Sequence, residues 1–306
     1  MKSLLLFFIL LTGSFTATAQ INSEDSSVQA IGYWEKNEKQ NYTITTHKYR
    51  LKGNDTIINS HLTYDVTVSI IDSTEKSFVI EWVYSNYKVS GNELLKQKLE
   101  LLNQGKKVRF KTDEMGTFEE LLNWKEVQGH ILKTSTVLQN EFKNDPKFNE
   151  LMLEVNKVYN SKENIEAIGI NEIQQFHTFF GAKYIKGEIT RGTIQIPNVL
   201  GTKPFDAAVE IFLEEINTKD ENYILRFEQS VDKKQLATAV TEYINNLAKK
   251  TGKPAPKNLG LDNLVNEVTI GTRMHETGWV IYSIYTKTVI TDNMEEVEER
   301  IIEIKE

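Results

Sequence analysis

Apolar and polar residues alternate along much of the first third of the chain. Tyr42 to Thr46 alternates and is rich in β-branched residues, and Gly53-Asn54-Asp55 supplies a turn. Leu62 to Ile71 places Tyr64, Val66, Val68 and Ile70 on one face. A polar stretch, Asp72 to Lys76, leads into Phe78 to Tyr84. A period of two bounded by turn residues predicts an antiparallel hairpin. Glu93 to Asn103 then changes period: Leu94, Leu95, Leu99, Leu101 and Leu102 cluster as on a short amphipathic helix. Val108 to Lys111 returns to strand, with Asp113 to Gly116 as its turn.

From Phe118 to Phe180 the spacing becomes three to four, which predicts two or three helices broken at Asp145-Pro146 and Asn160-Ser161. Proline fits the first helical turn, where its missing N–H has no partner to lose. Ser161 is placed to cap the segment after it, and Gly181 to end the series. Strands resume at Gly187–Ile196, Val209–Ile216 and Asn222–Val231. Lys233 to Lys250 carries a helical stripe (Leu236, Val240, Tyr243, Ile244, Leu247), and Thr251-Gly-Lys-Pro-Ala-Pro256 stops it. Val268–Met274 and Trp279–Ile290 form a hairpin around Glu276-Thr277-Gly278. The tail from Met294 lacks a clean helical stripe and reads as strand.

Tyr64–Trp82 matches Val209–Phe227 without a gap, pairing Val66 with Ile211, Val68 with Leu213 and Trp82 with Phe227. After each copy come a helix, a strand, a glycine turn (Gly116, Gly278) and another strand. The pattern predicts an α+β protein of two similar antiparallel units, each packed on a helix, with a helical insert between them. Residues 20–127 form the first unit, 128–185 the insert and 186–306 the second unit. Residues 1–19 read as a cleavable export signal: Lys2, the apolar run Leu4–Leu11, and Ala17-Thr18-Ala19 before Gln20. No later stretch is apolar enough to span a membrane as a helix. The expected location is the periplasm or the extracellular space.

Composition narrows the chemistry. The 306 residues include no cysteine, which excludes thiol catalysis, disulfides, cysteine metal sites and a lipid-modified cysteine. A net charge of −7 argues against a nucleic-acid partner. G-x-S-x-G, H-E-x-x-H, Walker A and G-x-G-x-x-G are all missing. The five histidines show no metal-ligand spacing, although His47 and His61 would face each other in a favourable register. Asp113, Glu114, Glu119, Glu120, Glu214 and Glu215 supply carboxylates, and a glycosidase needs two at a defined separation. Abundance alone does not provide that. No catalytic residue, cofactor or metal is assigned.

The aromatic residues are the candidates for binding. Trp82, Tyr84, Trp279 and Tyr282 lie on or beside strands. They line an apolar cavity if the sheet is curved and covered by helices, or fill the core, which is the commoner fate of large rings. Tyr282 and Tyr285 fall on opposite strand faces.

The stretches VTVSIIDSTEKSFVIEW and VRFKTDEMGTFEELLNWKEV, after an export signal, resemble secreted bacterial cell-envelope proteins carrying a duplicated domain of unknown function. The antiparallel sheet curled over helices is also similar, at the level of fold, to envelope lipoprotein-carrier and lipid-binding families. The resemblance carries no functional residues; the aromatic strands, with the helical insert as a lid, lead to the expectation of an exported binding module for an apolar ligand or a partner. The alternatives are an envelope structural or interaction protein, and a carboxylate-dependent hydrolase.

Overall fold

A computed structural model describes residues 20–52, 55–89, 104–196, 198, 203–252, 254, 259–261, 263–292 and 294–306. The export signal read in residues 1–19 and the helix read in 93–103 lie outside the described residues. The elements in chain order are β1 (Ile21–Asn22), β2 (Ser27–Ala30), β3 (Lys39–Lys52), β4 (Asp55–Thr74), β5 (Ser77–Val89), β6 (Lys107–Asp113) and β7 (Phe118–Leu121). Four helices follow: α1 (Trp124–Glu141), α2 (Pro146–Val158), α3 (Lys162–Ile168) and α4 (Asn171–Phe176). The chain continues with β8 (Ala182–Ile185), β9 (Ile189–Ile196), β10 (Phe205–Asn217), β11 (Asn222–Val231), α5 (Lys233–Thr251), β12 (Val265–His275), β13 (Val280–Thr291) and β14 (Met294–Ile304).

The two expected strand units join edge to edge in one eleven-stranded antiparallel sheet, ordered β7-β6-β5-β4-β3-β14-β13-β12-β11-β10-β9. A small sheet, β1-β2-β8, stands apart from it. The seam between the halves is β3 on β14, in register from Tyr42↔Ile304 to Leu51↔Glu295. Arg50 Nε donates to Glu296 Oε2 across this seam at 3.0 Å. The tail from Met294 is therefore a strand, as its sequence pattern predicts, and it occupies the middle of the sheet.

The order strand, strand, strand, glycine turn, strand recurs in both halves, as β4-β5-β6-β7 and β10-β11-β12-β13. The ungapped match between them does not carry through to register. Val68 faces Trp82, whereas Phe227 faces Ile211 rather than Leu213. The cause is local: β4 and β5 turn through Glu75-Lys76, but β10 and β11 turn through Thr218 to Glu221. A two-residue slip preserves the buried face, because side chains alternate with a period of two.

The sheet is strongly curved. Gly32 N–H donates to Met115 O in the β6–β7 turn, and Tyr33 N–H donates to Thr277 O in the β12–β13 turn. In a flat sheet those turns would be six strand spacings, roughly 29 Å, apart. One pair of adjacent residues bridges them. Gly278, at φ +86°, fits this closure because a Cβ there would strike the Ile31 carbonyl. Trp34 plugs the closed end, 5.3 Å from Phe78, 5.2 Å from Phe180 and 5.4 Å from Trp279 between ring centroids.

The helical segment has four helices rather than two or three, and it begins at Trp124. Pro146 opens α2, and the Ser161 side chain caps α3 by accepting from Asn164 N–H at 3.2 Å. Helices α3 and α4 lay Ile165, Ile173 and Phe176 into the concave face of β3–β7. There Tyr42, Ile44, Val66, Val68, Ile80, Trp82, Val108 and Phe110 are all buried. Helix α5 is capped by Asp232, whose side chain accepts from Gln235 N–H at 2.8 Å, and it stops at Gly252 in the left-handed region. Its Leu236 packs with Phe205, Val231 and Leu264 in a separate small core at the open end. The convex face carries ion pairs such as Arg109–Glu81 and Arg191–Glu210. Among the described residues no helix is long and apolar enough to cross a membrane.

Candidate functional site

The concave face of the second half is only partly covered. Its closed end holds Tyr223, Leu225, Met274 and Val280, all buried. Toward the open end, the inward side chains of β11–β14 border a groove of about 670 Å³ between α4 and α5. Phe205, Phe227, Leu236, Val268, Ile270 and Tyr285 form its apolar wall. Drug-sized ligands occupy clefts of about 300–1,000 Å³ with this kind of lining.

Polar groups converge at one place on the floor. Arg300, in the central strand β14, is 8 % exposed. Its Nε donates to Gln175 Oε1 at 2.8 Å, and its Cζ lies 4.7 Å from the centre of the Tyr285 ring. Gln175 Nε2 donates to Ser283 Oγ at 3.0 Å and to the Arg300 carbonyl at 3.2 Å. Ser283 Oγ lies 2.8 Å from Thr272 Oγ1. The amide of Gln175 is thus oriented by acceptors on one side and the guanidinium on the other.

Of the four aromatics read from the sequence, none borders this groove. Trp82 and Tyr84 are sealed in the closed half; the Trp82 ring meets Phe176 edge-on at 5.5 Å. The Tyr84 hydroxyl donates to Glu172 Oε1 at 2.6 Å, and Lys106 Nζ lies 3.9 Å above its ring. Burial, reinforced by the Glu172 carboxylate, holds the Tyr84 and Tyr64 hydroxyls well above the usual tyrosine range. Trp279 belongs to the plug and donates through Nε1 to Glu38 Oε1 at 2.8 Å. Tyr282 is half-buried opposite Arg273 and Glu303, on the face away from the groove. Tyr285, three residues further along the strand and so out of phase with it, faces inward instead.

The remaining candidates fall elsewhere. His47 and His61 do face each other, 4.5 Å between ring centroids, on paired positions of β3 and β4. Among the described residues no group of three potential metal ligands forms. Asp113 Oδ1 accepts from Met115 N–H and Thr117 N–H and so shapes its own turn. Glu119 pairs with Lys111, Glu120 with Lys162 and Glu214 with Arg226. Glu298 is the one carboxylate among the groove's described lining residues. A paired-acid mechanism has no second acid there.

His177 is buried under the plug. Its Nδ1 lies 2.7 Å from Gly116 O, and desolvation outweighs that bond and Asp113 to lower its pKa to about 4. It is neutral at physiological pH and serves packing, edge-on to Phe110 at 5.2 Å. A smaller cavity of about 260 Å³ lies between α1 and α2, beside Lys106, His130 and Met152.

No protein-family model and no curated protein matches the chain. Among solved structures it is similar to lipovitellin, described for its lipid–protein interactions, at 8% identity and a TM-score of 0.41. That likeness covers 89% of this chain and 25% of lipovitellin, so the chain spans about a quarter of that protein's length. A Bacteroides fragilis protein with a YmcC-like fold, provisionally assigned as exported, is 7% identical with a TM-score of 0.25, covering 90% of this chain and 100% of that one. An outer membrane channel of Pseudomonas putida F1 is 5% identical with a TM-score of 0.19, covering 89% and 97%. Likeness at these scores says nothing about what the chain binds.

Proposed function

We propose that the chain is an exported binding module of the bacterial cell envelope that receives an apolar ligand in the open half of its concave face. One observation carries the reading: a groove of about 670 Å³ lies between α4 and α5, bordered by Phe227, Val268, Ile270 and Tyr285 of the sheet and by Phe205 and Leu236 at its open end. Whatever apolar surface a ligand removes from water there stabilises the complex by about 25 cal/mol per Å². In this reading Trp82, Tyr84 and Trp279 act by making the closed half rigid, and the recurring strand order reflects a duplication whose second copy exchanged helical cover for ligand.

The test is titration of the full chain with Nile red, a neutral apolar dye. Saturable binding is expected, and Ile270→Trp, which fills the groove, should abolish it while changing unfolding free energy by about 1–3 kcal/mol. Undiminished dye binding by a folded Ile270→Trp protein would sink the reading.

A second reading, an envelope interaction protein, draws on β9. This strand ends the sheet, is exposed along Ile189–Gln195, and shows Ile189 and Ile194 at the surface. An unpaired edge of this kind can accept a strand from another chain. Replacing Thr193 with proline would block such pairing without touching the groove.

A further inference from the structure

We propose that Arg300 is the receptor for a single carboxylate, so that the groove's ligand is a single-chain carboxylic acid with its head on β14 and its tail along the wall of Phe227, Ile270 and Leu236. The inference rests on the groove reading above and specifies the chemical class of its occupant.

The guanidinium is always charged at accessible pH, and a buried charge is tolerated only when it is paired. Arg300 is 92% removed from solvent on the groove floor, yet among the described residues no carboxylate lies within 4.0 Å of it. Its one side-chain hydrogen bond, through Nε, goes to the neutral Gln175. The Nη groups have no protein partner among the described residues, and Arg300 borders the groove. Gln175 and the Tyr285 ring fix the orientation of the guanidinium plane, so its free donors are already aligned before anything binds. Two parallel N–H donors match the two oxygens of a carboxylate.

The neighbouring charges do not supply the missing anion. Glu298 shares the inward face but sits directly opposite Lys287 on β13 and Lys48 on β3, with Lys48 Nζ 3.9 Å away. Lys287, Glu298 and Arg300 are the charged groups of the described lining, which leaves a single positive charge in excess. In a chain of net charge −7, this local sign is opposite to the average. One excess positive charge calls for a singly charged head rather than a phosphomonoester.

The experiment is displacement of Nile red from the full chain by dodecanoate, dodecan-1-ol and dodecyl phosphate. The wild-type chain is expected to bind dodecanoate at least about tenfold tighter than the alcohol, as a charge-assisted bidentate pair would give, and tighter than the phosphate. Arg300→Met should erase the acid preference while leaving the alcohol's affinity within about threefold. Arg300→Lys, which keeps the charge and loses the fork, should retain part of it. Equal wild-type affinity for acid and alcohol overturns the carboxylate site and leaves the groove reading standing. Preference for dodecyl phosphate overturns the single-charge assignment. Failure of all three to displace the dye overturns the groove reading and this one together. The wild-type comparison needs no variant, so it decides even where a substitution at Arg300 prevents folding.

Discussion

The two halves of the sheet turn similar alternating strands toward the same concave side, and only one half is filled. On β3–β7, Ile44, Val68, Trp82 and Phe110 meet Phe176, Ile173 and Ile165 and lose all contact with water. On β11–β14, Phe227 and Tyr285 are only partly buried, and beyond them the groove opens. The difference lies in the helices. Four stand between β7 and β8, and α4 reaches the seam, where Gln175 bonds to Ser283 and Arg300, but none covers the floor beyond. Alternation makes a face apolar, and a separate part of the chain decides whether that face becomes core or site.

The sharpest way to break this comparison is truncation on either side of it. Trp82→Ala should cost about 3–5 kcal/mol in urea-induced unfolding, because the cavity it leaves is walled in on every side. Phe227→Ala, at the groove, should cost about a third of that, since its ring is already partly open to solvent. Equal costs would mean that the open half is packed as tightly as the closed one.

A smaller effect separates the halves by pH. His177 belongs to the closed half, and its folded pKa of about 4 lies below the ordinary value of 6.5. Between those values the unfolded chain takes up a proton that the folded chain refuses. Stability should therefore be full above about pH 6.5, fall as the pH drops toward 4, and level off below it. The total loss from this group is about 3 kcal/mol. His177→Phe should flatten that part of the stability–pH curve, while the groove variant Ile270→Trp should leave its slope unchanged.

The smallest expected effect sharpens the open side. Asp232→Ala removes the cap of α5 and should cost about 1 kcal/mol. Because Leu236 stands in the first turn of that helix and borders the groove, Nile red affinity should weaken by about two- to fivefold in the same variant. A loss of stability with no change in dye affinity would detach α5 from the site.

Much of the strand plan can be read from the residues themselves. The hairpin through Asp72–Lys76, the turn at Gly278, the cap at Ser161 and the strand character of the tail all follow from local chemistry, and the structure contains each. The candidate site was less accessible to that reasoning. A period of two places Trp82 and Tyr285 on faces, but gives no information about which face a helix segment elsewhere in the chain will cover. Trp82 attracts notice by its size and ends in the core, whereas Tyr285 and Gln175 carry no local mark of function. Arg300 sits in Glu-Glu-Arg-Ile-Ile-Glu, which reads as a solvated run. The available signal was phase: Arg300 is two residues from Ile302 and must share its buried face once the tail is a strand. What hid its meaning was the pairing of β14 between β3 and β13, a long-range choice that puts an arginine at the centre of the sheet.

That same placement of β14 governs how the molecule can be assembled. The strand that stands sixth of eleven leaves the ribosome after every other described strand, so the two halves of the sheet have no strand-to-strand pairing with each other until all the others have been made. Contacts so distant in sequence form slowly, and until they do the flanks of β3 and β13 are bare templates for other chains. A growing chain of this kind has reason to depend on a chaperone until β14 has been made, and nicking the link between β13 and β14 would release the keystone of the sheet.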